Sequence, residues 1–213
     1  LVDGGPSGEV LFSQLSRQMP FWDRTIDLLI LSHPHTDHLT GLLEVLKRYH
    51  VKEVLYSDFD YDTPQFAEWR KLISTNDIKQ VEAQAGQQIA MGDVTVDILN
   101  PPQHHFSGTG SDIDNNSIVA RVVLGEISLL LTGDTQVAAE AELIYGRSTL
   151  NCDVIKVAHH GSATSTGTEF LTVINPEAAV ISVGSNNNFG HPDKEVEIRL
   201  SQKVGETNVY RTD

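Results

Sequence analysis

The chain has 213 residues, 39% of them hydrophobic, which is an ordinary composition for a folded domain with a substantial core. Its formal net charge is −14, and so acidic a surface argues against broad, charge-driven binding of nucleic acid. The single cysteine, Cys152, cannot form a thiolate metal site, so any bound metal must use histidine and carboxylate ligands. Divalent ions at one cleft would reverse the local field there and admit a single phosphate.

Short aliphatic runs alternate with amphipathic stretches along the chain, which predicts a layered α/β architecture. The predicted strands are Asp27–Ser32, Glu53–Tyr56, Val94–Leu99, Ser117–Leu124, Ser128–Leu131, Val154–Val157, Ala179–Val183 and Asn208–Tyr210. The predicted helices are Glu9–Gln18, Leu42–Tyr49, Pro64–Ser74, Ala138–Tyr145, Glu169–Ile174 and Lys194–Gln202. No repeat or linker interrupts this order, so we expect a single domain over residues 1–213.

Both ends of the sequence look like interrupted elements. Leu1–Gly5 reads as the end of a strand that enters a glycine turn, and Val209–Asp213 as a strand without its return partner. We therefore expect a fragment of a longer chain that lacks its first strand or strands and its last strand.

A cluster of histidine and aspartate directly follows the predicted strand Asp27–Ser32. Its members are His33, His35, Asp37 and His38. A loop at the carboxyl end of a strand is where α/β sheets place their sites, and imidazole and carboxylate are usual ligands of zinc and related ions. We predict that His33 and His35 face one ion and that Asp37 and His38 face another. The alternative is a polar loop with incidental histidines.

The pattern His-x-His-x-Asp-His after a buried strand resembles the signature of the metallo-β-lactamase superfamily. Three more segments resemble motifs of that family: Asp3 at a strand end, the Gly133-Asp134 turn, and Lys156–Ser162 with its histidine pair. The resemblance implies a four-layer αββα sandwich, the metallo-β-lactamase fold, with two divalent metal ions, zinc or manganese. It also implies that Asp134 bridges both ions and that His160, directly before Gly161, binds the second.

Each of these residues has an ordinary structural alternative. Asp134 alone would more often be the N-cap of the helix Ala138–Tyr145. His159 and His160 alone would be a loop pair, and His191, in the Phe189–Pro192 loop, would need no function. We expect His104 and His105 to be structural or merely exposed.

One departure from the superfamily pattern concerns the first ion, which in many members has a third histidine. The matching segment here, Ser111–Val119, contains none. Asn116 could supply a weak oxygen, and His104, His105 or His191 could compensate. The first ion should otherwise be the more loosely bound.

Four short segments resemble a narrower branch of the superfamily: Asn116-Ser117, Lys156–Ser162, Gly190–Pro192 and Tyr210–Asp213. This branch comprises the soluble C-terminal domain of the ComEC family of bacterial DNA-uptake (competence) proteins and its stand-alone relatives. The resemblance implies attachment to a membrane channel domain and a location outside the cytoplasm.

The activity we expect is metal-dependent hydrolysis of a phosphodiester, with single-stranded DNA as the candidate substrate in DNA uptake. The candidate catalytic residues are Asp37, His159 and His191, with His159 as proton donor to the leaving group. Candidate hydrogen-bond donors to the phosphate are Ser117, Thr135, Ser162 and His191. The alternatives are another ester hydrolase (a phosphorylcholine esterase, a lactonase or a β-lactamase) and a non-catalytic, metal-stabilised DNA-handling domain.

Overall fold

The computed structural model describes residues 1–59, 61–146, 149–185 and 187–213. These residues form two compact units, Leu1–Ala83 and Gln84–Asp213. Each unit has one β-sheet, the helices that connect its strands and a hydrophobic core of its own. The predicted mixed α/β class is confirmed, while the expected single domain over residues 1–213 stays a prediction.

The unit Leu1–Ala83 has a parallel sheet of three strands in the order β1-β2-β3. The strands are β1 (Thr25–Leu31), β2 (His50–Tyr56) and β3 (Lys79–Glu82), and the helices are α1 (Gly8–Gln18), α2 (Thr36–Arg48) and α3 (Pro64–Thr75). Helices α2 and α3 make the crossovers that parallel neighbouring strands require. Aliphatic side chains of β1 and α2 pack with Phe66 and Trp69 of α3 to form the core.

Strand β1 and helix α2 hold the segment between them from both sides. Leu28–Leu31 is buried throughout, as expected of a strand covered on both faces. Helix α2 buries Leu39, Leu42, Leu43 and Leu46, which follow the three- and four-residue spacing of an apolar helix face. The four residues Ser32–His35 between them are therefore anchored at both ends by the core.

The start of the chain packs against the N-terminal half of α2. The Asp3 amide donates to the Ile30 carbonyl at 2.9 Å, and the Gly4 amide donates to the His38 carbonyl at 2.7 Å. Gly4 and Gly41 approach so closely that a Cβ on Gly41 would lie 1.9 Å from the Gly4 carbonyl oxygen. This contact is open only to a pair of glycines, and it places Asp3 beside the first turn of α2.

The unit Gln84–Asp213 has a sheet of seven strands in the order β10-β9-β8-β7-β6-β5-β4. The strands are β4 (Gln88–Met91), β5 (Val94–Asn100), β6 (Val119–Leu124), β7 (Ile127–Leu131), β8 (Val154–Lys156), β9 (Ala178–Ile181) and β10 (Val209–Arg211). The helices are α4 (Asp112–Asn115), α5 (Val137–Tyr145), α6 (Thr168–Ile174) and α7 (Lys194–Val204), with 3₁₀ turns at Ala158–Gly161 and Glu206–Asn208. Strands β4 to β7 are antiparallel, and β7 to β10 are parallel.

The parallel half of this sheet positions polar residues at one edge. The carboxyl ends of β7, β8 and β9 lie at the same edge, because neighbouring parallel strands run in one direction. The segments that leave these ends carry Asp134, the pair His159-His160, and the loop to His191. Such an edge is the usual place for a site in an α/β sheet.

All of the predicted strands and helices are present, with shifted ends. Strands β3 and β4 and the short helix α4 were not predicted. Within the described ranges, no helix combines the length and the apolar character needed to cross a lipid bilayer.

Candidate metal centre

The first set of candidate ligands lies at the junction of β1 and α2. His33 and His35 belong to the connecting segment, whereas Asp37 and His38 lie in the first turn of α2, which begins at Thr36. The expectation that all four residues lie in a loop, with a helix only from Leu42, is therefore wrong. His35 is the N-cap residue of α2, but its side chain makes no capping hydrogen bond.

Asp3 fixes the orientation of His38. The Asp3 carboxylate accepts hydrogen bonds from His38 Nδ1 (2.8 Å), from the Ser32 amide (2.8 Å) and from Ser32 Oγ (2.7 Å). Because a carboxylate only accepts, His38 Nδ1 carries the proton and Nε2 carries the lone pair. Burial acts to raise the pKa of Asp3, but the positive charge of His38 in its protonated form, the His38 hydrogen bond and the Ser32 amide together lower it below its ordinary value. A ligating histidine typically has such a carboxylate behind it.

Ser32 extends the same network to His33. Its hydroxyl donates to Asp3, so the contact of 3.1 Å between Ser32 Oγ and His33 Nδ1 has the imidazole as donor. The opposite nitrogen, His33 Nε2, lies 3.0 Å from His35 Nδ1. Two nitrogen ligands of one tetrahedral zinc lie about 3.3 Å apart, given Zn–N bonds of about 2.0–2.1 Å. The His33–His35 pair fits one ion.

Asp37 is the most exposed member of this set. Its side chain is 45% exposed, and its Oδ2 lies 3.8 Å from His38 Nε2. Asp37 and His38 thus present an oxygen and a nitrogen close to one another, while their binding of a second ion stays a prediction.

The second set of candidate ligands begins with Asp134, in the turn after β7. Asp134 is 2% exposed, and its amide donates to Ser117 Oγ at 3.3 Å. Helix α5 starts at Val137 with Gln136 as its N-cap residue, so the alternative role of Asp134 as a helix cap is excluded. Asp134 is a buried carboxylate without a capping function.

The turn that carries Asp134 is anchored by its neighbours in the sheet. Lys156 Nζ and the His159 amide both donate to the Gly133 carbonyl, at 3.3 and 3.2 Å. The Thr135 hydroxyl donates to the Thr132 carbonyl at 2.9 Å and is fully buried, so it is not placed to bind a phosphate. The position of Asp134 is therefore fixed by the backbone around it.

The segment before α6 is hydrogen-bonded to Thr135, in the turn that carries Asp134, and to Glu140 of α5. Ser165 Oγ donates to the Thr135 carbonyl at 2.8 Å. The Glu140 carboxylate accepts from the amides of Thr166 and Gly167, the latter at 2.9 Å. Burial raises the pKa of Glu140, although the two amide donors act in the opposite direction.

His159 and His160 both have left-handed backbone conformations, with φ of 49° and 54°. This conformation costs about 1–2 kcal/mol per non-glycine residue, and such strain concentrates at functional sites. His160 Nδ1 donates to the Ser182 carbonyl at 2.7 Å, while its Nε2 lies 3.5 Å from Asp134 Oδ2. His159 Nε2 lies farther from the same oxygen, at 4.0 Å. The geometry favours His160 over His159 as the ligand beside Asp134.

His191 lies next to the histidine pair. Its ring centroid is 5.8 Å from that of His159. The side chain of Asn187 holds the His191 backbone, since Asn187 Oδ1 accepts from the His191 amide and Asn187 Nδ2 donates to the His191 carbonyl. Burial lowers the pKa of His191, and the charges of His159 and His160 lower it further. Phe189, which is 81% exposed, stacks on the His191 ring.

The structure excludes Asn116 as the ligand that replaces the missing third histidine. Asn116 Oδ1 accepts from the Phe106 amide, and Asn116 Nδ2 donates to the carbonyls of Phe106 and Asp112. The amide group that was expected to offer a weak oxygen is thus already used to fold its own loop. Nearby, His104 is exposed, as expected.

Three residues with a place in these networks were not singled out from the sequence: Ser32, Gln136 and Asp114. Ser32 links Asp3 to His33, and Gln136 Nε2 donates to the buried carboxylate of Asp114 at 2.8 Å. The sequence signal that could have identified Asp114 is its position in the segment that replaces the third histidine.

Two sets of histidine and carboxylate side chains at sheet edges provide the ligand types that a metal-dependent hydrolase of the α/β class uses. Residues 1–185 match the family model described as "Metallo-beta-lactamase superfamily". The chain belongs to the metallo-β-lactamase superfamily, as its motifs indicated.

The curated relatives place the chain near competence proteins. It is 31% identical over 191 residues to "ComE operon protein 3" of Bacillus subtilis, covering 89% of this chain and 24% of the relative. It is 34% identical over 185 residues to "Recombination protein 2" of Haemophilus influenzae (85% and 21%), and 32% identical over 181 residues to "Competence protein ComA" of Neisseria gonorrhoeae (83% and 23%). The chain spans about a quarter of the length of these relatives.

Solved structures share the fold at low sequence identity. The metallo-β-lactamase fold protein YhfI of Bacillus subtilis has a TM-score of 0.60 at 16% identity, covering 99% of this chain and 82% of that one. The diiron β-hydroxylase CmlA of Streptomyces venezuelae has a TM-score of 0.60 at 15% identity (92% and 44%). Zn²⁺-bound PqqB of Methylobacterium extorquens has a TM-score of 0.58 at 8% identity (99% and 79%). Together they confirm the fold, and two of them carry metal ions.

Proposed function

We propose that this chain is a phosphodiesterase that uses two divalent metal ions, zinc or manganese, and acts on single-stranded DNA. In this proposal the first ion is bound by His33, His35 and Asp134. The second ion is bound by Asp37, His38, Asp134 and His160. The assignment follows the superfamily motifs residue by residue.

The observation that carries the proposal is the way two of the histidines are held. His38 Nδ1 donates to the Asp3 carboxylate, and His160 Nδ1 donates to the Ser182 carbonyl. Both bonds direct the Nε2 lone pair away from the supporting group, which is the arrangement behind metal-ligating histidines. A polar loop with incidental histidines has no reason to fix the same tautomer at two separate strand ends.

The ions would supply positive charge that attracts phosphoryl oxygens and makes water more acidic. The chain's own contribution is to orient the ligands and to place proton donors near the substrate. His159, beside the ligand His160, is the candidate donor to the leaving group, and a lowered pKa keeps most of His191 neutral at pH 7, so that it can donate a hydrogen bond without adding charge. Asp37, with its half-exposed carboxylate, is the candidate group to orient the attacking water.

The choice of DNA as substrate is supported by the relatives rather than by the surface. A relative named as a competence protein and the ComEC-like segments favour a role in DNA uptake. We propose that in the full-length protein this chain is attached to a membrane channel domain and lies outside the cytoplasm. Because the chain has a net negative charge, its surface repels a phosphate, and the bound metal ions must supply the attraction that holds the substrate.

The test uses the purified chain, stripped of metal and reconstituted with Mn²⁺ or Zn²⁺. We expect elemental analysis to find two ions per chain and gel assays to show cleavage of a single-stranded oligonucleotide. Nitrocefin and a simple lactone are the matched substrates for the alternative ester hydrolases. Turnover of either without diester cleavage would overturn the proposal, and two bound ions without hydrolysis of any substrate would favour a non-catalytic, metal-stabilised domain.

A further inference from the structure

The loop that carries His191 is tied to the turn that contains the histidine pair. The Asp193 amide donates to the Gly161 carbonyl at 2.8 Å. Pro192 packs so closely on Gly161 that a Cβ at Gly161 would lie 2.6 Å from the Pro192 Cβ. These contacts, together with the hydrogen bonds of Asn187 to the His191 backbone, give the loop a defined position beside the pair.

Phe189 extends this arrangement to the surface of the unit Gln84–Asp213. Its ring stacks on that of His191, with the centroids 6.0 Å apart and the planes inclined by 15°, which is within the range of aromatic pairs. The His191 ring lies 5.8 Å from that of His159, whose Nε2 is 4.0 Å from Asp134 Oδ2. A flat apolar ring thus stands two ring contacts away from the candidate metal ligand Asp134.

The exposure of Phe189 has an ordinary alternative, since single apolar side chains are common on protein surfaces. What distinguishes Phe189 is that its ring is accessible and oriented at the same time. The side chain is 81% exposed, while the stack on His191 sets the plane of the ring. Another planar group can stack on a ring held in this way with little further loss of side-chain freedom.

A nucleobase is the planar group that suits this position. Aromatic side chains stack on the bases of single strands regardless of sequence, because every base has a π-face. A base is joined to its phosphate through one sugar ring, so a strand whose phosphate lies beside Asp134 has bases within short reach. The net charge of −14 gives the chain no broad electrostatic attraction for DNA, whereas stacking needs no positive charge.

We infer that Phe189 forms a nucleobase subsite, on which a base next to the cleaved phosphodiester stacks. The inference rests on the proposed function and identifies a part of the substrate that the metal ions do not contact. The chain should therefore favour a phosphodiester strand that carries bases over a bare sugar–phosphate strand. It should discriminate little between one base and another.

The kinetic test compares a single-stranded oligonucleotide with a strand of equal length that has tetrahydrofuran sites in place of its nucleosides. Phe189→Ala removes the side chain, and Phe189→Leu keeps an apolar group but removes the ring. We expect kcat/KM for the oligonucleotide to fall about 5- to 150-fold in both variants, which corresponds to about 1–3 kcal/mol. The strand without bases should be cleaved equally by wild type and both variants.

Tyr145→Ala is the matched control. Tyr145 is 74% exposed and ends α5, at the opposite end of that helix from the Asp134 turn. We expect wild-type rates from this variant on both strands. An equal loss on both strands in Phe189→Ala and Phe189→Leu would show that Phe189 only supports His191, and it would overturn the inference. Wild-type cleavage of the oligonucleotide by Phe189→Ala would also overturn it and leave the proposed function standing.

Phe189→Trp provides a measurement that does not depend on turnover. We expect the oligonucleotide to quench the emission of the new indole and the strand without bases to leave it unchanged. Wild type, which contains Trp22 and Trp69, gives the background. Quenching without hydrolysis of either strand would support the subsite and contradict the phosphodiesterase. If the folded, metal-loaded variant showed no quenching by the oligonucleotide, the inference would fail whatever the rate of cleavage.

Discussion

Replacement of Asp3 by asparagine tests the link between the start of the chain and the second ion. Asparagine keeps the shape of the side chain and tolerates the positive φ of 52° at this position. Its amide group, however, must present an N–H where the carboxylate accepted from His38 Nδ1. We expect His38 to change tautomer, so that Nε2 carries the proton and can no longer bind a metal.

The expected magnitude follows from the loss of a supporting carboxylate, which weakens metal affinity by about 10- to 100-fold. At a metal concentration of about 100 times the wild-type Kd, one site adds about 2.7 kcal/mol to the free energy of unfolding, and a 100-fold weaker site adds only about 0.4 kcal/mol. For a protein of this size the difference corresponds to a loss of about 5–9 °C in the metal-dependent increase of Tm.

The assay is thermal unfolding with and without Zn²⁺. The increase in Tm that Zn²⁺ causes is compared between variants, because this comparison removes the direct effect of the substitution on the stability of the metal-free protein. Long-range ¹H–¹⁵N spectra of labelled histidine report the tautomer. Asp27→Asn is the matched control, because Asp27 lies in β1 and pairs with Lys52 at the surface. If Asp3→Asn kept the wild-type increase in Tm and the proton on His38 Nδ1, the role given to Asp3 would be refuted.

Three further predictions concern turnover, pH and salt. Asp134→Ala should abolish diester hydrolysis while circular dichroism stays native, because a ligand of both ions is removed; wild-type rates would exclude Asp134 from the site. Because the pKa of Glu140 is raised in the folded state, protonation of its carboxyl stabilises the fold. This contribution to the free energy of unfolding is fully present below the ordinary glutamate pKa of about 4.3 and is lost as pH rises through the folded-state pKa. Urea unfolding measured across this pH range should therefore show that the free energy of unfolding of wild type falls relative to that of Glu140→Gln. If the difference between the two proteins stayed constant or rose with pH, the raised pKa of Glu140 would be contradicted. Affinity for single-stranded DNA should be weak and should depend little on salt, as measured by fluorescence anisotropy, whereas a steep slope would reveal a basic surface that the net charge hides.

The sequence was sufficient for the strands and helices that contribute to a core. β3 and β4 were missed because they lie at the edges of their sheets, where Lys79–Glu82 and Gln88–Met91 have no fully buried residue to produce an apolar alternation. The start of α2 was predicted too late for a related reason. Its first turn carries the polar residues Asp37 and His38, and these belong to the metal motif rather than to the apolar face of the helix.

The candidate ligands were predictable because a metal requires certain residue types at short spacing, and that requirement is visible in the chain. Apart from Asp3, which the superfamily resemblance indicated, their supporting groups were not, because a hydrogen bond between distant segments leaves no local pattern. Asn116 was considered as a ligand from its position alone, and only the structure shows that its amide group binds Phe106. The partnership of Gln136 with Asp114 is equally invisible in the sequence.

The close contact between Gly4 and Gly41 bears on any attempt to transfer this centre to another protein. Neither glycine offers a donor side chain, yet the contact is what brings the Asp3 carboxylate to His38. A graft of the His33–His38 loop alone would carry every nitrogen ligand of that loop and leave one of them without its partner. A successful transfer must therefore include the packing of Gly4 against Gly41. These two glycines, which are far apart in the chain, matter as much as the histidines whose position depends on them.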